Sequence, residues 1–145
     1  MTVDAAAFID TFTKVWANPD PERFPDLFNP GAWLLHPGMA ERLPAAQVVD
    51  YMAGVKAGAP DIHLVPADWA VRGNVVYVDW TMHASVNGQA ISWIGADKCV
   101  LTGARADSIT VYFDTHPIWT TLDPSLGSGV SLEQAAARRA GATVG

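Results

Sequence analysis

The chain has 145 residues, 50% of them hydrophobic, which suits one compact domain with a substantial core. Its formal net charge is -6 and its nine Lys and Arg residues are mostly scattered singly, so nucleic acid is a poor partner. No stretch approaches the length of a membrane span and residues 1–10 lack a basic segment, which predicts a cytoplasmic protein that does not contact a membrane.

Two helices are predicted at the beginning of the chain. Apolar residues recur at helical spacing from Ala5 to Trp16, which predicts an amphipathic helix that ends at Asn18-Pro19. Asp20-Pro21 then has the cap and the proline of a helix start, so a short second helix follows. Its predicted inward side chains are Phe24, Leu27 and Phe28.

A brief strand and a third helix come next. Residues Ala32 to His36 are apolar up to the histidine and stop at Pro37-Gly38, which predicts a short strand. The segment from Pro44 to about Ala57 predicts a helix. Its predicted inward side chains are Val48, Val49, Met52 and Val55.

The pattern from Ile62 onward is that of an antiparallel sheet. The predicted strands are Ile62 to Val71, Asn74 to Ser85, Gln89 to Leu101 and Ile109 to His116. Helices that precede a long meander predict an α+β fold, with three N-terminal helices on one face of a curved, mainly antiparallel sheet. We expect this domain to span residues 1–122, and residues 123–145 to form a flexible tail with a short helix at 131–140.

Asn87-Gly88 is the strongest turn signal in the chain, because both central residues of a type I′ hairpin turn need positive φ. The predicted inner-face pairs are Met82 with Trp93, Trp80 with Gly95, Val78 with Asp97 and Val76 with Cys99. That face is apolar except for Asp97. A carboxylate there is unfavourable unless it is paired or protonated, so Asp97 is a candidate functional residue, with an Asp satisfied by backbone or solvent as the alternative.

A helical first half, a short strand that ends in His-Pro and a long hairpin with a lone inner Asp resemble the nuclear transport factor 2-like superfamily. The resemblance covers roughly residues 4–118 and is strongest to the SnoaL-like polyketide cyclases. Ketosteroid isomerases and limonene epoxide hydrolases are more distant relatives. The resemblance implies a cone-shaped α+β barrel around a pocket, a fold that serves isomerases, cyclases, hydrolases and proteins without chemistry.

The resemblance also implies roles for three residues. In ketosteroid isomerases the general-base Asp precedes a Pro at the end of the short strand, where this chain has His36. Asp97 stands where those enzymes have a neutral Asp that stabilises an oxyanion. Polyketide cyclases of this type use an Asp near the end of the last strand, and Asp114 matches that spacing.

The sequence departs from two of these relatives. Phe12 stands where the isomerases have a Tyr, and Trp80 and Met82 stand where the epoxide hydrolases need an Arg and an Asp. A ligand-binding or accessory protein of the same fold is therefore the main alternative to an enzyme. An epoxide hydrolase-like enzyme is the second alternative.

The last strand gives two conflicting expectations. Its apolar alternation turns Ile109, Val111 and Phe113 to the core and leaves Tyr112 and Asp114 outside. The resemblance turns Tyr112 and Asp114 inward. We follow the resemblance here, and expect the three apolar side chains in an interface with a second chain.

These residues, together with the resemblance, imply a cofactor-free enzyme of the cyclase, isomerase or lyase type that acts on a hydrophobic carbonyl compound. His36 would be the base and Asp97 the neutral acid, while Asp114 would orient His36 or act as the acid in ring closure. The side chains expected to bind the substrate are Phe12, Trp16, Trp80, Met82, Trp93 and Tyr112.

The sequence also indicates which metal ions and cofactors to expect. The four histidines do not occur at close ligand spacing, so no metal site is expected. No Gly-rich loop follows a strand, so no nucleotide cofactor is expected.

The outer sheet face combines Asp79 and Lys98 with Tyr77, Ile94 and Val100. These residues predict a homodimer through that face, with Asp79 and Lys98 paired within or across it.

Overall fold

The computed structural model describes residues 2–123 together with residues 125, 133, 136, 137 and 141. The helices are α1 (Ala5–Ala17), a 3-10 helix (Pro21–Leu27), a second 3-10 helix (Ala45–Gln47), α2 (Val48–Gly58) and α3 (His116–Leu122). The strands are β1 (Phe28–Leu35), β2 (Leu43–Pro44), β3 (His63–Arg72), β4 (Val75–Val86), β5 (Gln89–Thr102) and β6 (Arg105–Phe113). The helix predicted at 131–140 falls largely outside the described residues.

In the described part of the chain, six strands form one sheet in the order β2-β1-β6-β5-β4-β3. β1 and β6 are parallel, and every other neighbouring pair is antiparallel. Bulges between Pro66 and Asp68 and between Val100 and Leu101 interrupt the register, which bends a sheet locally. The predicted α+β fold, with helices on a curved and mainly antiparallel sheet, is confirmed.

The first helix forms as its sequence pattern indicates. The Asp4 carboxylate accepts a hydrogen bond of 3.0 Å from the Ala7 backbone N–H, which caps the helix. Phe8, Phe12 and Val15 lie on one stripe and are buried in the core. No helix among the described residues is both long and apolar enough to cross a bilayer.

The second helix and the first strand differ from their predicted bounds. Pro25 lies inside the second helix, which is a 3-10 helix from Pro21 to Leu27. Phe28 is buried as expected, but it begins β1 and is not part of the helix. The strand is therefore longer than predicted at its beginning, and it ends at Leu35, directly before His36.

The third predicted helix is a 3-10 turn followed by α2, and Pro44 belongs to the two-residue strand β2. Val48 and Met52 are buried as predicted. Val49 is only half-buried and is not packed against the core, whereas Tyr51 is. The inward side of α2 thus differs from the prediction at one position, where Tyr51 takes the place of Val49.

The hairpin register is confirmed at every predicted pair, including Trp80 with Gly95 and Val78 with Asp97. Asn87 and Gly88 have φ of 51° and 73°, as a type I′ turn requires. Asp97 therefore lies on the face that the helices cover, which we call the inner face.

The expected orientation of the last strand is wrong. β6 pairs with β5 so that Val111 lies opposite Asp97 and Phe113 lies opposite Gly95, which puts both on the inner face. Ile109 is buried on the same face, and Tyr112 is 56% exposed on the opposite one. The strand's own apolar alternation was the better guide, because the described helices cover only the inner face.

Substitutions of two glycines that have open surroundings test the assignment of the hairpin turn. A Cβ at Gly54 or at Gly88 would meet no atom within 4 Å, but only Gly88 has a positive φ, of 73°. Gly54→Ala should raise the free energy of unfolding by up to about 1 kcal/mol because it removes a glycine from a helix. Gly88→Ala should lower it by about 1 to 2 kcal/mol. Urea denaturation measures both, and equal effects would contradict the turn assignment.

Candidate active site

An apolar cavity of about 220 Å³ lies between the helices and the inner face of the sheet. The predicted substrate-binding residues that line it are Phe12, Trp16, Trp80, Met82 and Trp93. The ionisable side chains of its described lining are His36, Tyr51 and Asp97. The fold thus brings two of the three predicted catalytic residues to one cavity.

Asp97 is held in the cavity wall by the hairpin register and is only 5% exposed. The Trp80 indole N–H donates a hydrogen bond of 2.9 Å to its Oδ1 atom. Burial raises the pKa of Asp97 to about 7, and the Trp80 hydrogen bond opposes part of that rise. Near neutral pH the protonated carboxyl group is therefore well populated and can donate a hydrogen bond.

The contact between Trp80 and Asp97 depends on a glycine. A Cβ at Gly95 would lie 2.4 Å from Cη2 of Trp80 and 2.8 Å from the Tyr112 carbonyl oxygen. Only a residue without a side chain lets the indole lie across the neighbouring strand. Gly95 thereby allows Trp80 to reach Asp97, two residues further along β5.

His36 follows the end of β1 and also lines the cavity. Its Nδ1 atom lies 3.1 Å from the Pro37 carbonyl oxygen, which can only accept, so Nδ1 carries the hydrogen. In the neutral ring Nε2 is then the unprotonated nitrogen. Burial lowers the pKa of His36, although the backbone hydrogen bond opposes this, so the imidazole is mainly neutral at pH 7.

Aromatic rings surround this imidazole. The His36 ring contacts Phe113 edge-on at 5.0 Å and Tyr51 at 6.1 Å between centroids. Phe113 also lies 6.0 Å from the rings of both Trp80 and Trp93. Phe113, which we had expected in an interface, therefore contacts His36 and both cavity-lining tryptophans of the hairpin.

Tyr51 is a lining residue that the sequence analysis missed. Burial raises the pKa of its phenol, so it remains a neutral hydroxyl. The signal was present in the helical spacing of Val48, Tyr51, Met52 and Val55, all of which line the cavity. Ile118 was missed as well, because β6 was predicted to continue through the residues where α3 begins.

Asp114 and Tyr112 do not line the cavity. Asp114 is exposed beyond the end of β6, and its carboxylate accepts a hydrogen bond of 2.9 Å from the His116 backbone N–H at the start of α3. Its position suits a structural role at that turn. The predicted placement of both residues in the pocket is wrong for the same reason as the strand orientation.

Trp93, which lines the cavity, has a buried polar atom without a hydrogen-bond partner among the described residues. Its indole nitrogen is buried and has no hydrogen-bond acceptor among the described residues. An unpaired buried N–H is unfavourable by about 1 to 3 kcal/mol. Such violations of hydrogen bonding in a native structure cluster at functional sites.

An open groove adjoins the cavity on one side. Its lining comes from residues 35–39 and 110–113. His36, Val111 and Phe113 line both the groove and the cavity. The imidazole therefore lies at the boundary between the apolar interior and the solvent-facing surface.

The described residues contain no group of three or more His, Cys, Asp or Glu side chains arranged to hold a metal ion. His63 and His83 stack across β3 and β4 at 4.9 Å, opposite each other on the face that the helices leave uncovered. The described lining of the cavity offers neither a cluster of metal ligands nor a Gly-rich cradle for a phosphate.

The sequence profile of the SnoaL-like domain matches residues 8–112. No curated protein matches the sequence. Among solved structures, a candidate hydroxylase, AclR, from Streptomyces galilaeus superposes with a TM-score of 0.74 at 15% identity, over 97% of this chain and 93% of that one.

Two further structures share the fold. A candidate SnoaL-like polyketide cyclase from Jannaschia sp. CCS1 has a TM-score of 0.67 at 13% identity, over 83% of this chain and 94% of its own. An LEH-like epoxide hydrolase of M. tuberculosis has a TM-score of 0.67 at 12% identity, over 84% of this chain and 91% of its own. Identities this low establish a common fold and leave the chemistry to the residues of each cavity.

The raised pKa of Asp97 predicts how stability depends on pH. Between the ordinary value of 3.8 and about 7, the folded protein binds more protons than the unfolded chain, so its free energy of unfolding should fall as pH rises. The loss should reach roughly 4 kcal/mol above pH 7. Urea denaturation at pH 5 and pH 8.5 measures the part of this loss that lies above pH 5, about 2.7 kcal/mol.

The control for this prediction is a pair of substitutions of the same kind. Asp97→Asn should abolish most of the decrease, because the amide side chain does not ionise between pH 5 and pH 8.5. Asp50→Asn, an exposed change on α2, should leave the decrease as it is. An unchanged pH dependence in Asp97→Asn would show that Asp97 is not the group responsible.

Proposed function

The chain belongs to the SnoaL-like domain family, and from that premise we propose that it is a cofactor-free acid–base enzyme. Its reaction would be of the cyclase, isomerase or lyase type, on a small hydrophobic carbonyl compound. One observation carries the proposal. A neutral imidazole with a free Nε2 and a carboxyl group with a raised pKa line the same apolar cavity.

The proposed first step is removal of a proton from the carbon next to the carbonyl. His36 Nε2 accepts that proton, and the electrons of the broken C–H bond move toward the carbonyl oxygen. Asp97, in its protonated form, donates a hydrogen bond to the enolate oxygen that develops. Return of the proton from His36 to another carbon gives an isomer. Attack of the enolate carbon on a second carbonyl closes a ring, and the proton on His36 then passes to the alkoxide oxygen that this attack forms.

The apolar walls support this chemistry. Hydrogen bonds to a developing charge are stronger in a water-poor site than in bulk water, because the effective dielectric constant is lower. Tyr51 adds a neutral hydroxyl beside His36 and can donate a hydrogen bond to substrate. Asp114 has no part in the proposal, because it lies outside the cavity.

A non-catalytic ligand-binding protein of the same fold is the second candidate. Phe12 favours it, because this side chain is fully buried at the cavity wall and has no hydroxyl to offer a substrate. An epoxide hydrolase-like reaction is less well supported. Trp80 and Met82 occupy the strand positions where that mechanism needs an Arg and an Asp.

Hydrogen exchange at an activated carbon distinguishes these candidates. With 2-tetralone as the probe, NMR in D₂O should show faster deuterium uptake next to the carbonyl in the presence of the protein. His36→Gln should lower that rate by about 10²- to 10⁴-fold, because the amide cannot act as the base. His83→Gln, on the uncovered sheet face, is the matched control and should have no effect.

The acid can be tested in the same assay. Asp97→Leu should lower the rate by about 10²- to 10³-fold, and Asp97→Asn should restore part of it because an amide N–H can still donate. If the wild type binds the probe and accelerates no exchange, the ligand-binding alternative is correct.

We also propose that two chains pack through the uncovered sheet face as a homodimer. Ile94 is 75% exposed there, and Tyr77 and Tyr112 are exposed on the same face. Asp79 and Lys98 form no ion pair with each other within the chain, so both are available to pair across a two-fold axis.

Sedimentation equilibrium at micromolar concentration tests the dimer. The wild type should have about twice the 15.5 kDa mass of one chain, and Ile94→Asp should be monomeric because a charge at the centre of the interface would lose its hydration. Val71→Asp, an exposed change on the other face of the sheet, should remain dimeric. A monomeric wild type would contradict the proposal.

A further inference from the structure

The size of the cavity limits the number of rings that a ligand can have. An apolar cavity of about 150 Å³ accommodates one benzene molecule, and sites for drug-sized ligands begin at about 300 Å³. The 220 Å³ of this cavity lies between those values, which corresponds to one substituted ring or two fused rings.

The part of the wall that Phe12 and Trp80 form is poorly able to expand. Phe12 and Trp80 are 0% and 1% exposed, and both belong to the central core. Moving such rings to admit a larger ligand would break close packing on their far sides. Trp80 would in addition lose its hydrogen bond to Asp97.

The charge of the lining limits the ligand in a second way. Among the described residues, no Lys or Arg side chain lines the cavity. Lys56 on α2 donates instead to the Pro19 carbonyl oxygen, and Lys98 lies on the uncovered face of the sheet. The ionisable groups of the described lining are a mainly neutral imidazole, a phenol and a carboxyl group. A bound anion would therefore lose its hydration without gaining a counter-charge.

We infer that the ligand of this cavity is a non-anionic compound of one or two fused rings. We expect free carboxylates, phosphates and compounds with four fused rings to bind poorly, the last because only part of such a compound would fit in the cavity and the rest would lie in the adjoining open groove. The inference rests on the proposed function only in taking this cavity as the ligand site. A substrate that originates as a carboxylic acid would have to be esterified or reduced before it could bind.

Three probes test the inference on the unaltered protein, through the fluorescence of the tryptophans that line the cavity. 2-Acetonaphthone and 2-naphthoate have nearly the same shape and differ in charge, and androst-4-ene-3,17-dione is an uncharged compound of four rings. At pH 8 we expect saturable binding of 2-acetonaphthone and at least 10-fold weaker binding of the other two. Equal affinity for the naphthoate or the steroid, or no binding of 2-acetonaphthone, would overturn the inference.

A pair of variants shows whether binding occurs in the cavity. Ala84 lines the cavity on β4, so Ala84→Leu should weaken the binding of 2-acetonaphthone at least 10-fold. Ala90→Leu, an exposed change on the neighbouring strand, should not. Unchanged affinity in a folded Ala84→Leu variant would contradict the inference, and the three-probe comparison applies even if that variant does not fold.

This experiment is independent of the proposed function, because it measures affinity and not turnover. Selective binding of 2-acetonaphthone without hydrogen exchange on 2-tetralone would refute the enzyme and retain the ligand class. Exchange catalysed on a carboxylate or on a four-ring ketone would retain the enzyme and refute the ligand class.

Discussion

The hydrogen bond from Trp80 to Asp97 links the packing of the sheet to the chemistry of the cavity. Trp80 is a core residue, and its indole crosses Gly95 to reach a carboxyl group that would otherwise be buried without a partner. The bond stabilises the carboxylate, whereas burial stabilises the protonated acid, and the two effects together leave the pKa near 7. The glycine, the register and the indole must therefore all be kept for the acid to function.

Much of this arrangement could be predicted from the sequence, because a hairpin register depends on few residues. Asn87-Gly88 fixes which side chains share a face, and the inner position of Asp97 follows by counting. His36 was located by the Pro37 that follows it. The chemical environment of each group could not be predicted in this way, because burial depends on elements distant in the sequence.

The sequence predictions that were wrong also have identifiable causes. Phe113 and Tyr112 were assigned to the wrong faces because a family resemblance was preferred to the apolar alternation of the strand itself. Tyr51 was overlooked because an inward stripe on a short helix can include Val49 or Tyr51 with nearly equal hydrophobic periodicity. Distant relatives preserve a fold more faithfully than the position of each polar side chain.

The place of His36 between the cavity and the open groove has a consequence for isotopic labelling. A base enclosed entirely by protein would return the same hydrogen nucleus that it removed. A base at a solvent boundary can exchange that nucleus with water before the enolate reacts further, because proton exchange at an accessible imidazole is fast relative to typical turnover. A product made in heavy water would then carry solvent deuterium, and the stereochemistry of its placement would record from which side of the substrate His36 acts.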